Sequence, residues 1–374
     1  MSIDWMARAV PQTAGLYPYV PGKPVETLLR EKGLSRAVKL ASNENPYGPS
    51  PKAITAMCNA AAGVHRYPDG DANALKVKLA ALHHVSRDQV LLGNGSNEVL
   101  ELIIRTFAGA GDEVVYSQRG FIVYALAAQA AGATGVPVAE ADGRSHDLDA
   151  MAAAVNERTK LVCIANPNNP TGTLHSNIVI QSFLDRLPRN VVVIIDEAYY
   201  EFVADELGDS VHDLKHPGLM ISRTFSKAYG LAGCRIGYAI ADSRITALVN
   251  RYREPFNLNL LAQHAALAAL DDRDWVMARV ADTNAGREKL ESALTEMGLS
   301  GGRCYGNFVL LRHAQSSEIV RRLEDHGMIA RPLAPYGMAD FLRISVGTAE
   351  ENAEFLTVLT SVIESLSEQE NAAS

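Results

Sequence analysis

The lysine at position 227 has neighbours that could let it do chemistry. It lies in Ser222-Arg-Thr-Phe-Ser-Lys-Ala-Tyr-Gly, after an apolar run and before a glycine turn. Most lysines are simply solvated surface residues, but Thr224 and Ser226 supply hydroxyls here and Arg235 follows eight residues later. The planar fork of arginine binds two phosphate oxygens at once. This group of side chains could therefore hold a phosphate and a carbonyl group together.

Asp196 and Tyr199 form a second candidate pair. Asp196 directly follows the apolar run Val192-Val-Ile-Ile, so the sequence predicts a carboxylate at the end of a buried strand. An aspartate in this position commonly caps a helix or joins an ion pair. In a catalytic site it would instead face a cationic ring nitrogen, and Tyr199 would lie on the same side if a helical turn follows.

Two polar turns complete the set of candidate motifs. The segment Asn166-Pro-Asn-Asn-Pro-Thr-Gly follows an apolar run, and its prolines and asparagines predict a rigid turn. The segment Gly93-Asn-Gly-Ser-Asn-Glu would close a strand and open a helix, so that the backbone amides of Ser96 and Asn97 would point at an anion. Because this segment lacks the third glycine of a dinucleotide fingerprint, it does not predict a dinucleotide site.

These residues need strands that end beside one another. Short apolar runs predict strands at 89–92, 113–116, 161–165, 191–195, 219–222 and 236–240. Their nearly continuous hydrophobicity is typical of strands buried on both faces, and alanine-rich segments such as 98–108 and 124–131 predict helices between them. The alternation predicts an α/β fold with a largely parallel sheet. Ligands of such sheets bind at the carboxyl ends of the strands, where the polar motifs lie.

The pattern of predicted helices and strands changes after about residue 270. The later segments predict a smaller α+β unit, with helices at 272–297, 317–326 and 349–366 and strands at 307–311, 329–331 and 341–346. Because the N-terminal arm contains Pro11, Pro18, Pro21 and Pro24, we expect it to be irregular. The predicted organisation is an arm over 1–40 that joins the small domain, a large domain over 41–270 and a small domain over 271–374.

Composition narrows the classes of partner. The chain of 374 residues has 35 Lys and Arg against 43 Asp and Glu, a net charge of −8, which disfavours nucleic acid and anionic membranes as partners. No run reaches 18 apolar residues, so no membrane-spanning helix is expected. The four cysteines form no CxxC pair, and the histidines are not spaced as metal ligands usually are, as in HExxH. We therefore expect a cytoplasmic protein without a metal.

Taken in order, the motifs resemble one family over almost the whole chain. They are similar to fold-type-I pyridoxal-phosphate aminotransferases, and within these to the histidinol-phosphate aminotransferase branch, which the segment Leu16-Tyr-Pro-Tyr-Val-Pro-Gly-Lys-Pro favours. Any one motif is weak, but the ordered set is specific. The motifs are Asn43-Glu-Asn-Pro-Tyr-Gly, Arg66-Tyr-Pro-Asp-Gly, Gly93-Asn-Gly-Ser-Asn-Glu, Asn166-Pro-Asn-Asn-Pro-Thr-Gly, Asp196-Glu-Ala-Tyr, Ser226-Lys-Ala-Tyr-Gly-Leu-Ala-Gly-Cys-Arg-Ile-Gly and Leu342-Arg-Ile-Ser-Val-Gly-Thr.

The resemblance implies pyridoxal 5′-phosphate as the cofactor and a role for each polar group at its ring. Lys227 would form the Schiff base with the cofactor aldehyde and then move a proton. Asp196 would keep the pyridine nitrogen protonated, so that the ring can accept electrons. Asn166 and Tyr199 would bond the ring hydroxylate. Phe121 matches an aromatic residue that stacks on the ring, although many relatives have tyrosine there.

The resemblance also implies how the cofactor phosphate is held and how subunits assemble. The amides of Ser96 and Asn97 would bind the phosphate, and further bonds would come from the side chains of Thr224, Ser226 and Arg235. Tyr67 matches a residue that reaches the cofactor phosphate of the neighbouring subunit. A composite site of this kind would make the working form a homodimer.

For the substrates, the resemblance points to residues of the small domain and the arm. Arg343 matches the arginine that binds the substrate α-carboxylate, Arg331 one that contacts the substrate phosphate, and Tyr19 and Asn43 would line the pocket. The predicted reaction interconverts L-histidinol phosphate and 2-oxoglutarate with imidazole acetol phosphate and L-glutamate. The alternatives are an aromatic amino-acid aminotransferase, a decarboxylase of the same fold and a non-catalytic regulator. The last is disfavoured because about 40 residues precede Asn43, with no basic helix-turn-helix signal.

Overall fold

The computed structural model describes residues 3–16 and 22–373, and this part of the chain forms three β-sheets. The largest sheet has seven strands in the order β2-β8-β7-β6-β5-β3-β4. The strands are β1 Val38–Lys39, β2 Val90–Gly93, β3 Glu113–Ser117, β4 Thr134–Val138, β5 Thr159–Ala165, β6 Val192–Asp196, β7 Leu219–Thr224, β8 Gly237–Ala241, β9 Phe308–Arg312, β10 Met328–Ile329, β11 Arg331–Pro332 and β12 Phe341–Ser345.

The large sheet is mostly parallel, as predicted. Only β8 runs against its neighbours, pairing antiparallel with β2 and with β7. The six strands predicted for this sheet are confirmed, but β4 was not predicted. Its sequence, Thr-Gly-Val-Pro-Val, contains Pro137 and leaves two of its five residues exposed. A proline is tolerated at the edge of a sheet, which is where β4 lies, so the strand lacks the apolar run that marks its buried neighbours.

Helices cover both faces of this sheet, which explains the continuous apolar runs. On β6, Ile194 packs into the apolar cluster formed with α4 and α5, while Val193 and Ile195 pack into the cluster on the opposite face with α6 and α7. The α-helices are α1 Val25–Lys32, α2 Pro51–Ala60, α3 Asn73–Leu82, α4 Ser96–Phe107, α5 Val123–Ala130, α6 Leu148–Ala154, α7 Asn177–Leu184, α8 Ala204–Leu207, α9 Ser210–Asp213, α10 Ser243–Val249, α11 Leu260–Leu270, α12 Arg273–Glu296, α13 Ser316–Asp325 and α14 Ala349–Ala373.

The predicted irregular arm is wrong in one part. Helix α1 begins directly after Pro24 and ends at Gly33, whose φ of 65° places it in the left-handed region. Proline interrupts a helix interior but is tolerated at its start, because the first amides have no partner within the helix. Two short 3₁₀ helices, Met6–Arg8 and Pro11–Gly15, precede α1.

The C-terminal part contains the three-stranded antiparallel sheet β11-β12-β9 with α12, α13 and α14. The short strand β1 pairs in parallel with β10, and Val38 and Leu40 pack into the same apolar cluster as β9 and α14. The arm segment is therefore attached to this unit. The domain boundaries at 40 and 270 stay a prediction. Over the described ranges, no helix combines the length and apolar character needed to cross a membrane.

Candidate active site

A cavity of about 190 Å³ lies at the carboxyl ends of β5, β6 and β7, with β11 and β12 contributing to its wall. This is the position that the parallel-sheet rule predicts for a ligand. The cavity brings together twelve of the fifteen predicted site residues: Asn43, Ser96, Asn97, Phe121, Asp196, Tyr199, Thr224, Ser226, Lys227, Arg235, Arg331 and Arg343.

Lys227 follows β7 and is half-buried in the cavity wall. Its Nζ donates a hydrogen bond to the carbonyl oxygen of Ser42 at 3.1 Å. Burial, with a smaller contribution from the Arg343 guanidinium, lowers the pKa of Lys227 to about 8. A substantial fraction of this amine is therefore neutral near physiological pH, and a neutral amine can act as a nucleophile or a base.

Asp196 ends β6 and is 3% exposed. Its Oδ2 accepts a hydrogen bond from the hydroxyl of Tyr124 at 2.9 Å, whereas its buried Oδ1 has no hydrogen-bond partner among residues 3–16 and 22–373. Burial raises the pKa of Asp196 to about 7. A buried, unpartnered carboxylate oxygen beside a cavity calls for a donor, and the protonated nitrogen of a pyridine ring is one that fits.

Tyr199 and Asn43 form a hydrogen-bonded pair in the cavity wall. Asn43 Nδ2 donates to the Tyr199 hydroxyl at 2.8 Å, and the Ser345 hydroxyl donates to Asn43 Oδ1 at 3.0 Å. Burial raises the pKa of Tyr199 to about 12, so its hydroxyl stays protonated at neutral pH. The bonded pair joins the segment after β1 to the loop after β6 and to β12.

The first turn of α4 forms a cradle for an anion. Gly95 precedes the helix with a φ of 87°, and a Cβ there would collide with the guanidinium of Arg235. A Cβ on Gly237 would collide with the backbone nitrogen of Ser96. Arg235 Nη1 also reaches Ser226 Oγ at 3.4 Å. Helix N-terminal amides beside an arginine are a suitable site for a phosphate group.

Asn166, predicted to bond the cofactor ring, lies outside the cavity wall. Its side chain is closed on the backbone of His175: Nδ2 donates to the carbonyl oxygen at 2.9 Å, and the His175 amide donates to Oδ1 at 2.8 Å. Asn166 does not line the cavity, whereas Asn169 of the same motif does. Asn169 Oδ1 accepts a hydrogen bond from Arg343 Nη1 at 2.5 Å. Both Asn166–Pro167 and Asn169–Pro170 are cis peptide bonds.

Tyr67, also predicted as a site residue, lies away from this cavity. Tyr67 is 81% exposed, and its ring stacks on Phe256 with centroids 4.6 Å apart. It therefore does not reach the cavity of its own chain, and its predicted contact with a neighbouring subunit stays a prediction. Tyr19 lies outside the described residues.

The two arginines lie directly opposite each other on one antiparallel ladder. The register of β11 and β12 pairs Arg331 with Arg343, so both side chains project from the same face of the small sheet. Arg343 is 7% exposed, and its Nη2 donates to the carbonyl oxygen of Ala41 at 2.7 Å. The arrangement brings two positive charges to the wall that faces Lys227.

Three residues of the site were not predicted from the sequence. Asn169 belongs to the second Asn-Pro pair of its motif, and the repeat is the signal that could have drawn attention to it. Tyr124 lies three residues after Phe121 on the helix that follows β3, and its ring packs edge-on against Phe121 at 6.0 Å. Tyr336 lies between Arg331 and Arg343 in the sequence, and it lines the cavity. No group of three potential metal ligands converges within the described residues.

A parallel sheet with a lysine, an aspartate and an anion cradle at its carboxyl edge defines a fold-type-I pyridoxal-phosphate enzyme. The family "Aminotransferase class I and II" matches residues 35–359. The chain belongs to this family, among the histidinol-phosphate aminotransferases, and it is a pyridoxal-phosphate-dependent transaminase. The predicted family, fold class and cofactor are therefore confirmed.

Named relatives and a solved structure support this membership over nearly the full length. A histidinol-phosphate aminotransferase of Methylobacillus flagellatus is 48% identical over 350 residues, covering 92% of this chain and 95% of the relative. "Histidinol-phosphate aminotransferase 2" of Pseudomonas aeruginosa is 46% identical over 365 residues, covering 96% and 99%. The crystal structure of histidinol-phosphate aminotransferase from Sinorhizobium meliloti in complex with pyridoxal-5′-phosphate superposes with a TM-score of 0.89 at 30% identity, covering 96% and 98%.

Proposed function

We propose that the chain transfers an amino group between L-histidinol phosphate and 2-oxoglutarate, forming imidazole acetol phosphate and L-glutamate, in histidine biosynthesis. The observation that carries this proposal is the pairing of Arg331 with Arg343 on the wall of the cavity that contains Lys227. Two guanidinium groups suit a phosphate dianion or the carboxylates of glutamate. The names of the relatives favour histidinol phosphate over phenylalanine and tyrosine as the amino substrate.

Lys227 has two proposed tasks. Its Nζ would make the covalent link to the cofactor aldehyde and be released when the substrate amine takes its place. The released amine would then move a proton from the amine-bearing carbon of the substrate to the C4′ carbon of the cofactor, a task suited to an amine with a pKa of about 8. When bound, pyridoxal phosphate supplies an electron sink for the negative charge that develops on that carbon.

Asp196, Tyr199 and Asn169 are proposed to hold the cofactor ring. The unpartnered Oδ1 of Asp196 would accept the proton of the ring nitrogen, while Tyr124 keeps the other carboxylate oxygen in place. Because Arg343 already bonds Asn169 Oδ1, the Nδ2 of that amide is left to donate to the ring oxygen together with the Tyr199 hydroxyl. Asn169 thus takes the role that the sequence assigned to Asn166.

The anion cradle is the proposed site of the cofactor phosphate. The amides of Ser96 and Asn97 would bind it, with further bonds from Thr224, Ser226 and Arg235, which line the same cavity. Phe121 lines this cavity as well, and its edge-on contact with Tyr124 leaves its face available for the ring to stack on.

For the substrates, we assign Arg343 to the α-carboxylate of glutamate and Arg331 to the phosphate of histidinol phosphate. Both side chains line the cavity, and Asn43 lines it beside Tyr199. Tyr19, expected in the same pocket, lies outside the described residues. The position of the two arginines on one small sheet lets a single substrate anion bond to both of them.

We propose a homodimer in which Tyr67 completes the neighbouring site. Tyr67 and Phe256 form an exposed aromatic stack, and Val64, which lines the same surface groove, is exposed too. Apolar surface of this kind is typical of interaction sites. If Tyr67→Ala and Lys227→Ala each inactivate their own homodimers, a mixture that forms hybrids should regain activity, because one site per hybrid keeps both residues. A fully active monomeric Tyr67→Ala variant would contradict the proposal.

The proposed location is the cytoplasm. All four cysteines are free, and two of them, Cys163 and Cys304, are buried. Free thiols of this kind persist in a reducing compartment. Oxidised thiols in protein purified from the native cell would argue against it.

A panel of amino substrates tests the proposed reaction. The enzyme should transaminate L-histidinol phosphate with 2-oxoglutarate at a much higher kcat/KM than L-phenylalanine or L-tyrosine. Lys227→Ala should abolish both turnover and the absorbance that arises from the covalent lysine–cofactor link. A preference for the aromatic amino acids would instead identify the alternative function.

A further inference from the structure

The hairpin that joins β11 to β12 places a phenol beside the two arginines. Tyr336 ends a short 3₁₀ helix, Ala334–Tyr336, and its side chain lines the same cavity as Arg331 and Arg343. All three residues therefore belong to one contiguous segment of about a dozen residues, which contributes two guanidinium groups and one hydroxyl to a single wall.

The hairpin is anchored on both sides of Tyr336. Leu333 is fully buried and Met338 nearly so, and both belong to the apolar cluster that contains Tyr199. The Met338 amide donates to the Leu333 carbonyl oxygen at 3.2 Å, and Arg119 Nη2 donates to the Gly337 carbonyl oxygen at 3.3 Å. The backbone that presents the phenol is thus held before a substrate arrives, which reduces the entropy lost on binding.

Tyr336 and Arg343 line the same cavity, together with Tyr199 and Lys227. The antiparallel register places Arg343 opposite Arg331, and the turn between these two strands contributes Tyr336 to the cavity wall. The two guanidinium groups and the phenol are therefore available to one ligand in this cavity.

We propose that the Tyr336 hydroxyl determines specificity by donating a hydrogen bond to the phosphate ester of the amino substrate. A phosphate monoester has three terminal oxygens and a carboxylate two, so a third donor favours the phosphate. Arg343 already donates hydrogen bonds to Asn169 Oδ1 and to the carbonyl oxygen of Ala41, so fewer of its N–H groups can bond a substrate. A phenol adds one such donor to the cavity wall without adding positive charge. This inference rests on the proposed function.

The test compares Tyr336→Phe with the wild-type holoenzyme. The variant should lose about tenfold or more in kcat/KM for L-histidinol phosphate, as expected for a lost bond to a charged group, and stay within about twofold for L-phenylalanine and L-glutamate. Inorganic phosphate, used as a competitive inhibitor of the reaction with L-glutamate, should bind the variant about tenfold more weakly. Tyr305→Phe is the matched control, since Tyr305 lies against Arg303 and does not line the cavity.

The two proposals fail in different ways. Equal losses for phosphate and carboxylate substrates, or an unchanged inhibition constant for phosphate, would overturn the role of Tyr336. Wild-type enzyme that does not turn over L-histidinol phosphate would overturn the proposed function instead. In that case the phosphate inhibition constants of wild type and Tyr336→Phe still decide whether the hydroxyl contributes to phosphate binding.

Discussion

Arg343 donates a hydrogen bond to Asn169 Oδ1, joining the small antiparallel sheet to the turn that follows β5. The bond fixes which end of the Asn169 amide faces the cavity, because the oxygen is occupied and the Nδ2 donor is left for a ligand oxygen. An arginine assigned to the substrate therefore also orients a residue assigned to the cofactor. We therefore expect substrate binding and the electronic properties of the bound cofactor to be coupled through this one guanidinium group.

The first prediction separates the two asparagines of the turn. Asn169→Ala should lower kcat/KM about tenfold or more, because a bond to the charged ring oxygen is lost, and should shift the pH at which the visible absorbance of the bound cofactor changes. Asn166→Ala should lower the melting temperature, since two bonds to His175 are lost, while that spectral transition stays in place. A spectral shift in Asn166→Ala alone would restore the role first assigned to it.

The sequence predicted six of the seven strands of the large sheet, and the polar residues at their ends, for a physical reason. Strands buried on both faces need long apolar runs, and a polar residue follows where such a run ends, as at Asp196. What the sequence could not predict depends on contacts that form only in the folded chain. Asn166 bonds the backbone of His175, nine residues further along, whereas Asn169 bonds Arg343, which is 174 residues away in sequence. Tyr336 enters the site only through the packing of its hairpin.

The second prediction concerns the pH dependence of cofactor capture. Only the neutral amine of Lys227 can attack an aldehyde, and its pKa of about 8 means that this form increases as pH rises through about 8. The rate at which cofactor-free protein regains visible absorbance should follow that midpoint.

Replacing the nearby positive charge provides the control for this prediction. In Arg343→Gln the midpoint should move to higher pH, because after burial the Arg343 guanidinium is the next cause of the lowered pKa. Lys160→Ala, on the surface, should leave the midpoint unchanged. A midpoint that does not respond to Arg343→Gln would contradict the electrostatic explanation.

The third prediction concerns the stability of the cofactor-free protein. The pKa of Asp196 is about 7 in the folded chain and 3.8 for the ordinary group, so the folded state holds this proton more tightly between those values. The contribution of Asp196 to stability therefore falls as pH rises through this window. Asp196→Asn does not titrate, so above pH 7 it should be more stable than wild type by on the order of a few kcal/mol.

Urea unfolding of the cofactor-free proteins at about pH 5 and pH 8 measures this difference. The advantage of Asp196→Asn should be larger at the higher pH, and the exposed Asp185→Asn should show no comparable pH dependence. The same Asp196→Asn variant should bind the cofactor more weakly, because its amide cannot neutralise a protonated ring nitrogen. An advantage that shrinks as pH rises would show that Asp196 is not a desolvated carboxylate.

The last prediction concerns a buried ion pair behind the site. Arg223 Nε donates to Glu197 Oε2 at 2.9 Å, both side chains are almost fully buried, and the Arg223 guanidinium lies over the Tyr200 ring at 3.3 Å. Glu197 follows Asp196 and Arg223 precedes Thr224, so the pair joins the ends of β6 and β7 next to the cofactor residues. Removing one partner leaves an uncompensated buried charge, and Arg223→Leu should therefore cost about 3–5 kcal/mol of unfolding free energy.

The double variant distinguishes charge burial from loss of a stabilising bond. Because desolvation offsets much of the attraction in a buried pair, Glu197→Leu/Arg223→Leu should recover most of the stability lost in Arg223→Leu. Arg321→Leu, which removes an exposed partner of Glu318, should leave the unfolding free energy nearly unchanged. If the double variant is instead as unstable as the sum of the two single variants, Glu197 and Arg223 are not energetically coupled, and the ion pair is not what stabilises the ends of β6 and β7.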